Sequence, residues 1–227
     1  MNLFLNVMNY NLFDAIDDQD VKLFKQLLKN GADVNIQNKD GWTPLHKASR
    51  IGRTSIVKLL LDNDADVNIQ DLHGWTPLQY ASRYEHIDIV KLLLEHNADV
   101  NIQNDCGYTP LHHASNIDTA KLLLEHGADI SAKNKYGETP LHEASLCGYT
   151  NIVKLLLDNN AEVNIQDRDG ITPLHSASMF GRANVVKILI EHGADANMKN
   201  YNGNTPLHCA LEEGNINTIK SLLKYYK

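Results

Sequence analysis

Short segments with apolar residues at helical spacing come in pairs along this chain, separated by polar connections rich in Gly, Asn and Asp. One pair shows the logic. Thr43 is a good N-cap, and Pro44 sits at the first helical position, where its missing N–H costs nothing and its fixed φ is already helical. The pattern predicts a short helix from Pro44 to about Ile51. Gly52 ends it, and Ile56, Val57, Leu59, Leu60 and Leu61 supply the apolar positions of a second, antiparallel helix ending near Asp62. Neither helix is long enough to be stable alone, so each needs its neighbours.

The pair recurs with a hexapeptide at its head: Gly41-Trp42-Thr43-Pro44-Leu45-His46, then close variants with threonine at Thr76, Thr109, Thr139, Thr172 and Thr205. Threonine-to-threonine steps are 33, 33, 30, 33 and 33 residues, a period that signals a stacked repeat array rather than a closed globule. After each second helix one position is held by Gly31, Asp64, Asn97, Gly127, Asn160 and Gly193, the residue types that tolerate a left-handed backbone. The following Asp-Val-Asn-Ile-Gln segment and Asp/Asn-x-x-Gly turn read as an extended arm folding back as a hairpin. The first unit lacks the hexapeptide. Its Leu12, Ala15, Leu27, Leu28, Ala32, Asp33 and Asn35 nevertheless fall 33 residues before Leu45, Ala48, Leu60, Leu61, Ala65, Asp66 and Asn68, which makes it a capping unit.

Hairpin turn, helix, tight loop and antiparallel helix, with Thr-Pro-Leu-His opening the first helix, closely resembles the ankyrin repeat family over residues 11–227. The resemblance implies an all-α solenoid of stacked helix-loop-helix units with short β-hairpin-like connecting loops. It divides the chain into an N-terminal capping repeat with a short apolar extension (1–40), five complete repeats (41–203) and a C-terminal capping repeat that stops inside its second helix (204–227). Residues 1–10 either extend the first helix or fray. Two departures stand out. The third complete repeat is three residues short between Ala114 and Lys121, so a shortened first or second helix and a change in stacking angle are expected there, either as a hinge or notch for a partner or as a tolerated deletion. Glu85 occupies the place of Gly52, Gly148 and Gly181, which predicts a strained loop over Arg83 to His86.

Charge narrows the partners. A net −7 from 28 acidic and 21 basic residues repels phosphate backbones and anionic membranes, so neither nucleic acid nor membrane is an expected partner. Cys106, Cys147 and Cys209 lie in different repeats and form no disulfide or metal spacing, which suits a reducing compartment. With no basic, cleavable leader and no apolar run of membrane-spanning length, a monomeric cytoplasmic protein is expected.

Eleven histidines raise metal binding and acid–base catalysis. His46, His112, His142, His175 and His208 belong to the hexapeptide, and one repeat spacing of about 10 Å keeps them from sharing an ion. In ankyrin repeats this histidine is a structural clip between loops. No nucleophile elbow, phosphate-binding loop or His-Glu-x-x-His motif is present, so no enzyme activity, cofactor or metal is expected. Asn35, Asn68, Asn101 and Asn164, each eight residues after a leucine, resemble the asparagines hydroxylated in ankyrin repeats, although the same asparagine belongs to the ordinary repeat frame.

In the family, hairpin tips and the exposed face of the first helix line a concave groove. The residue after the box glycine runs Trp42, Trp75, Tyr108, Glu138, Ile171, Asn204, aromatic at one end and polar at the other. Free positions of the first two complete repeats add Lys47, Arg50, Ile51, Leu72, His73, Tyr80, Arg83 and Tyr84, and those of the next two add His113 and Glu143. Tryptophan, tyrosine and arginine are the types enriched at binding hot spots. The alternative is that the rings pack on adjacent turns and cover the hairpins. The expected function is a non-enzymatic scaffold holding a partner protein or peptide in the groove. Alternatives are the same binding mode used by an effector that an intracellular microbe or virus delivers into a host cell, and a small-molecule or polyanion-binding regulator.

Overall fold

The structure, a computed structural model, describes residues 11–225. The extension expected at 1–10 and the last two residues of the expected truncated helix lie outside the described residues. Contacts divide the chain into two compact units, one ending at Asp105 and the other beginning at Cys106. The first holds α1 (Leu12–Asp17), α2 (Val21–Lys29), α3 (Pro44–Ile51), α4 (Thr54–Leu61), α5 (Pro77–Arg83) and α6 (Ile87–Glu95). The second holds α7 (Ile117–Glu125), α8 (Pro140–Cys147), α9 (Thr150–Asp158), α10 (Pro173–Met179), α11 (Ala183–Glu191), α12 (Pro206–Glu212) and α13 (Ile216–Leu222).

Within each unit the helices form two layers. First helices pack on first helices (α1, α3 and α5; α8, α10 and α12), and second helices on second helices (α2, α4 and α6; α7, α9, α11 and α13). The core repeats with the sequence. Leu45, Leu78, Leu111, Leu141 and Leu174 are buried, as are Ala48, Ala81, Ala114, Ala144, Ala177 and Ala210, and so are Leu60, Leu93, Leu123, Leu156, Leu189 and Leu222. Small alanines let first helices approach closely, and leucines fill the space between layers. Helix starts follow the expected chemistry: Thr43, Thr76 and Thr172 each accept the N–H of the third helical residue. The six positions expected to be left-handed all are, including the non-glycines Asp64, Asn97 and Asn160.

Two connections differ from expectation. The arm after each second helix is a turn rather than an extended strand, and no strand occurs among the described residues. Ile36 N–H donates to Asp33 O at 3.3 Å while the Asp33 carboxylate takes the Asn35 N–H at 2.9 Å. Aspartate placed there competes for backbone donors and closes the chain on itself. Only the tip is hairpin-like, with Asn38 N–H on Trp42 O at 2.9 Å. In the third complete repeat the first helix is lost outright. Residues 109–114 keep three bonds of the i to i−3 kind, from His112, His113 and Ala114, while α7 retains nine residues. Three missing residues leave no room for both helices, because Asn116 must already cap α7 by accepting the Asp118 N–H.

Candidate binding surface

The tips are built by one side chain. Asn38, Asp71, Asn134, Asp167 and Asn200 each take two backbone N–H groups on a single oxygen, which locks the turn that carries the variable residue. Adjacent tips are joined by backbone bonds: Leu72 N–H to Asp40 O and Asp105 N–H to His73 O in the first unit, and Lys135 to Cys106, Arg168 to Tyr136 and Tyr201 to Asp169 in the second. Leu72 itself is 66% exposed, and His73 is exposed beside it.

Between tips and first helices, the clip histidines fix the frame. Thr43 N–H donates to His46 Nδ1 at 3.1 Å, which leaves the proton on Nε2 to reach Trp75 O at 3.0 Å. His112, His142 and His175 repeat this with Glu138, Ile171 and Asn204. Gln79 substitutes in the second complete repeat, its Oε1 taking Thr76 N–H and its Nε2 donating to Ile102 O. Burial lowers the pKa of all four of these histidines, that of His112 to about 4, so the fold holds them neutral. The histidine clip that the family resemblance implied is therefore present. His208 bonds Thr205 and is exposed. Among the described residues no group of three or more His, Cys, Asp or Glu could hold a metal ion.

On this frame the first unit carries a continuous aromatic and guanidinium array. Tyr80 lies 5.0 Å from Trp75, nearly parallel, and 5.1 Å from Trp42, tilted by 60°. Arg83 sits over Trp75 at 5.6 Å, and Arg50 over Trp42 at 5.0 Å and over Tyr84 at 5.7 Å. Beneath it Tyr80 donates its hydroxyl to the buried Asp71 at 2.7 Å. Burial, with Asp71 second, pushes the phenol above its ordinary range. The tryptophans are thus half-buried pillars and not the open platforms their register suggested, because Trp42 finds Arg50 of its own repeat and Tyr80 of the next, and Trp75 finds Tyr80 and Arg83 of its own. The rings pack on neighbouring turns, as the second expectation had it, and Arg50 and Arg83 lie exposed above them.

Lys47 is engaged elsewhere, donating to Phe13 O and ion-paired with Asp17. Ile51 is at the edge of exposure at the end of α3, and Tyr84 caps α5. Tyr108, His113, Glu138 and Glu143 belong to the second unit. There Tyr108 stacks on His113 at 5.2 Å and reaches the Glu138 carboxylate at 3.4 Å. Burial first, then Glu143 and Glu138, raises its phenol. The asparagines singled out for hydroxylation work in the frame: Asn35, Asn68 and Asn164 each accept a backbone N–H from the next repeat, at Asp66, Asp99 and Asp195. Asn101 is exposed. Asp71 and Gln79 were missed as site residues. Their signal was available in the 33-residue frame, where an aspartate stands among asparagines and a glutamine among histidines.

The sequence matches the family profile described as Ankyrin repeats (3 copies) over residues 12–104, 98–167 and 159–227. Curated relatives share short stretches. A human protein named 2-5A-dependent ribonuclease is 47% identical over 51 residues, which are 22% of this chain and 7% of that protein. The putative ankyrin repeat protein FPV223 of fowlpox virus is 48% identical over 48 residues, 21% of this chain and 34% of the viral one. A Notch-regulated ankyrin repeat-containing protein of Xenopus tropicalis is 41% identical over 46 residues, 20% of this chain and 40% of its own. The matched stretches thus span well under half of each of these relatives.

Proposed function

The chain belongs to the ankyrin-repeat family, and on that premise we propose that it is a non-catalytic scaffold whose first unit binds a partner protein or extended peptide across Trp42, Arg50, Trp75, Tyr80 and Arg83. One observation carries the reading: these side chains form an array held by ring stacking, guanidinium stacking and the Tyr80–Asp71 bond before any partner arrives. A surface ordered in advance loses little entropy on binding. Its residue types are those that dominate hot spots. Leu72 and His73 on the tips extend the contact; in the second unit Glu138, Glu143, Tyr108 and His113 form a separate, more acidic candidate surface of their own.

The protein acts as a monomer in the cytoplasm, a placement supported by three cysteines that form no disulfide among the described residues. Among the described residues no helix is long and apolar enough to cross a membrane. The fowlpox relative supports a host-directed variant of the same binding mode. A small-molecule or polyanion-binding role is the alternative reading, against which the net charge of −7 weighs for anionic ligands.

Capture from a cell extract by the wild type and by a Trp42→Ala/Trp75→Ala variant tests the reading. The bound proteins should be lost from the variant while both proteins remain folded by circular dichroism. Should the double variant melt early, Arg83→Ala, which removes an exposed side chain stacked on Trp75 and leaves both indoles in place, should show the same loss. Undiminished capture by folded variants would exclude this face.

A further inference from the structure

Resting on the protein-binding reading above but on a different surface, we propose that the second unit holds a phosphate monoester, the phosphorylated side chain of a partner protein, in a cleft between α11 and α13. The cleft, about 320 Å³, is lined by Asn184 and Lys187 of α11, by Asn217, Lys220 and Ser221 of α13, and by Lys224 just beyond it. Among the described residues no acid lines it. All three lysines are exposed, and none forms an ion pair among the described residues.

The repeat frame marks this charge as a departure. In each complete repeat a lysine of the second helix is followed four residues on by an acid: Lys58 by Asp62, Lys91 by Glu95, Lys121 by Glu125, Lys154 by Asp158, Lys187 by Glu191. Residues four apart on a helix are neighbours, so each acid offsets its lysine. Lys220 is followed by Lys224 instead. Three residues before the frame lysine, α6 and α7 carry Asp88 and Asp118, whereas α11 and α13 carry the neutral Asn184 and Asn217. Both flanks of Lys220 are therefore without acid. The N-terminal cap also pairs Lys25 with Lys29, but α4, the second helix packed against it, brings Asp62 to the place of Lys224.

Three ammonium groups around one small cleft match a compact group with more than one negative charge. Lysine is a point charge on a flexible stem, so it needs no fixed direction to meet an oxyanion in the cleft it lines, and it lacks the fork that selects a planar carboxylate. A phosphate monoester carries about −1.5 to −2 at neutral pH and three strong acceptor oxygens. The carboxamides of Asn184 and Asn217 add N–H donors. Ser221 is already engaged, its hydroxyl donating to Asn217 O at 2.9 Å. An adjoining cleft of about 350 Å³ shares Ala183, Asn184 and Asn217 and is lined by Arg182, whose Nε donates to Leu146 O at 2.9 Å, so residues beside the phosphorylated one have a path onward. A nucleic acid fits less well, since no aromatic ring among the described residues lines either cleft for a base to stack on. An anionic membrane also fits less well: the net −7 repels a broad charged surface, while a single phosphate is screened from charges farther than about 8 Å at physiological salt.

A synthetic peptide library with phosphoserine fixed between random flanks, beside the same library with serine, tests the proposal on the full-length protein. The phosphorylated library should be retained about tenfold or more above the serine library. Lys224→Glu, which restores the charge pattern of the complete repeats, should abolish the difference, and Lys220→Gln/Lys224→Gln should remove most of it. Lys25→Gln/Lys29→Gln in the cap and Arg83→Ala on the first-unit surface should keep it. Melting temperatures of these surface variants guard against unfolding. Equal retention of the two libraries, retention of neither, or a difference that survives Lys224→Glu would overturn the proposal and leave the first-unit surface standing. A difference lost on Arg83→Ala and kept on Lys224→Glu would place the phosphate on the first unit and overturn it likewise. Free phosphoserine, a single-stranded oligonucleotide or phosphatidylserine vesicles that bind through the same lysines more tightly than the peptides would overturn the assignment to a partner protein.

Discussion

At Glu85 the backbone sits at φ +61°, where the equivalent Gly52 and Gly148 sit at +77° and +82°. A left-handed conformation costs a residue with a Cβ about 1 kcal/mol, and glycine avoids it. Glu85→Gly should therefore leave the melting temperature unchanged or raise it by a few degrees, read by thermal denaturation; a clear fall would show that the Glu85 side chain contributes more than its strain costs. The position was legible because glycine stands at the same place in sibling repeats. Asp71 was not legible in the same way. Its two oxygens serve two different jobs, tip closure and the Tyr80 hydroxyl, and the second depends on a ring nine residues on. Trp42 lies between these cases: its register marked it as special, but its neighbours are Arg50 and Tyr80, the latter supplied by the next repeat, so its role as a pillar emerges only from packing.

At the scale of elements, Thr-Pro starts a helix at Pro44, Pro77, Pro140, Pro173 and Pro206, because it sets local geometry at the helix end; at Pro110 the same pair starts only a turn. The connections were less legible: an Asp-Val-Asn sequence reads as extended, while the Asp33 side chain captures the Asn35 N–H and bends it. The third complete repeat shows what three residues are worth. Leu111 and Ala114 stay buried, yet the helix around them is reduced to a turn with i to i−3 bonds. Such a turn opens more readily than a full helix. Amide hydrogens of His112, His113 and Ala114 should exchange faster than their counterparts in α8 and α10, by about tenfold or more in native-state exchange. Equal protection would mean that stacking on neighbouring elements, and not the intrahelical ladder, carries the local stability.

Across the whole molecule the clip histidines couple the fold to pH. His46, His112, His142 and His175 have folded-state pKa values below the ordinary 6.5, because burial disfavours the charged ring and Nδ1 is already taken by a backbone N–H. Above about pH 6.5 both folded and unfolded chains keep these rings neutral, and their contribution is fully present. As pH falls from there the unfolded chain takes up protons that the folded one refuses, so stability is lost down to the folded pKa, about 4 for His112. That residue alone accounts for a loss on the order of 3 kcal/mol by pH 4. Melting temperature should be flat from pH 8 to 7 and fall steeply below 6. His112→Gln, which copies the clip that Gln79 already makes, should flatten the fall. A profile unchanged by that substitution would separate the clip from acid sensitivity.

The central claim is that a partner sits on the first unit's tips and first helices. Hydrogen exchange of the protein with and without a captured partner locates it most directly. Protection should appear over residues 40–51 and 71–84, which hold Trp42, Arg50, Trp75 and Arg83. Protection confined to α4 and α6, or to the second unit, would contradict the account.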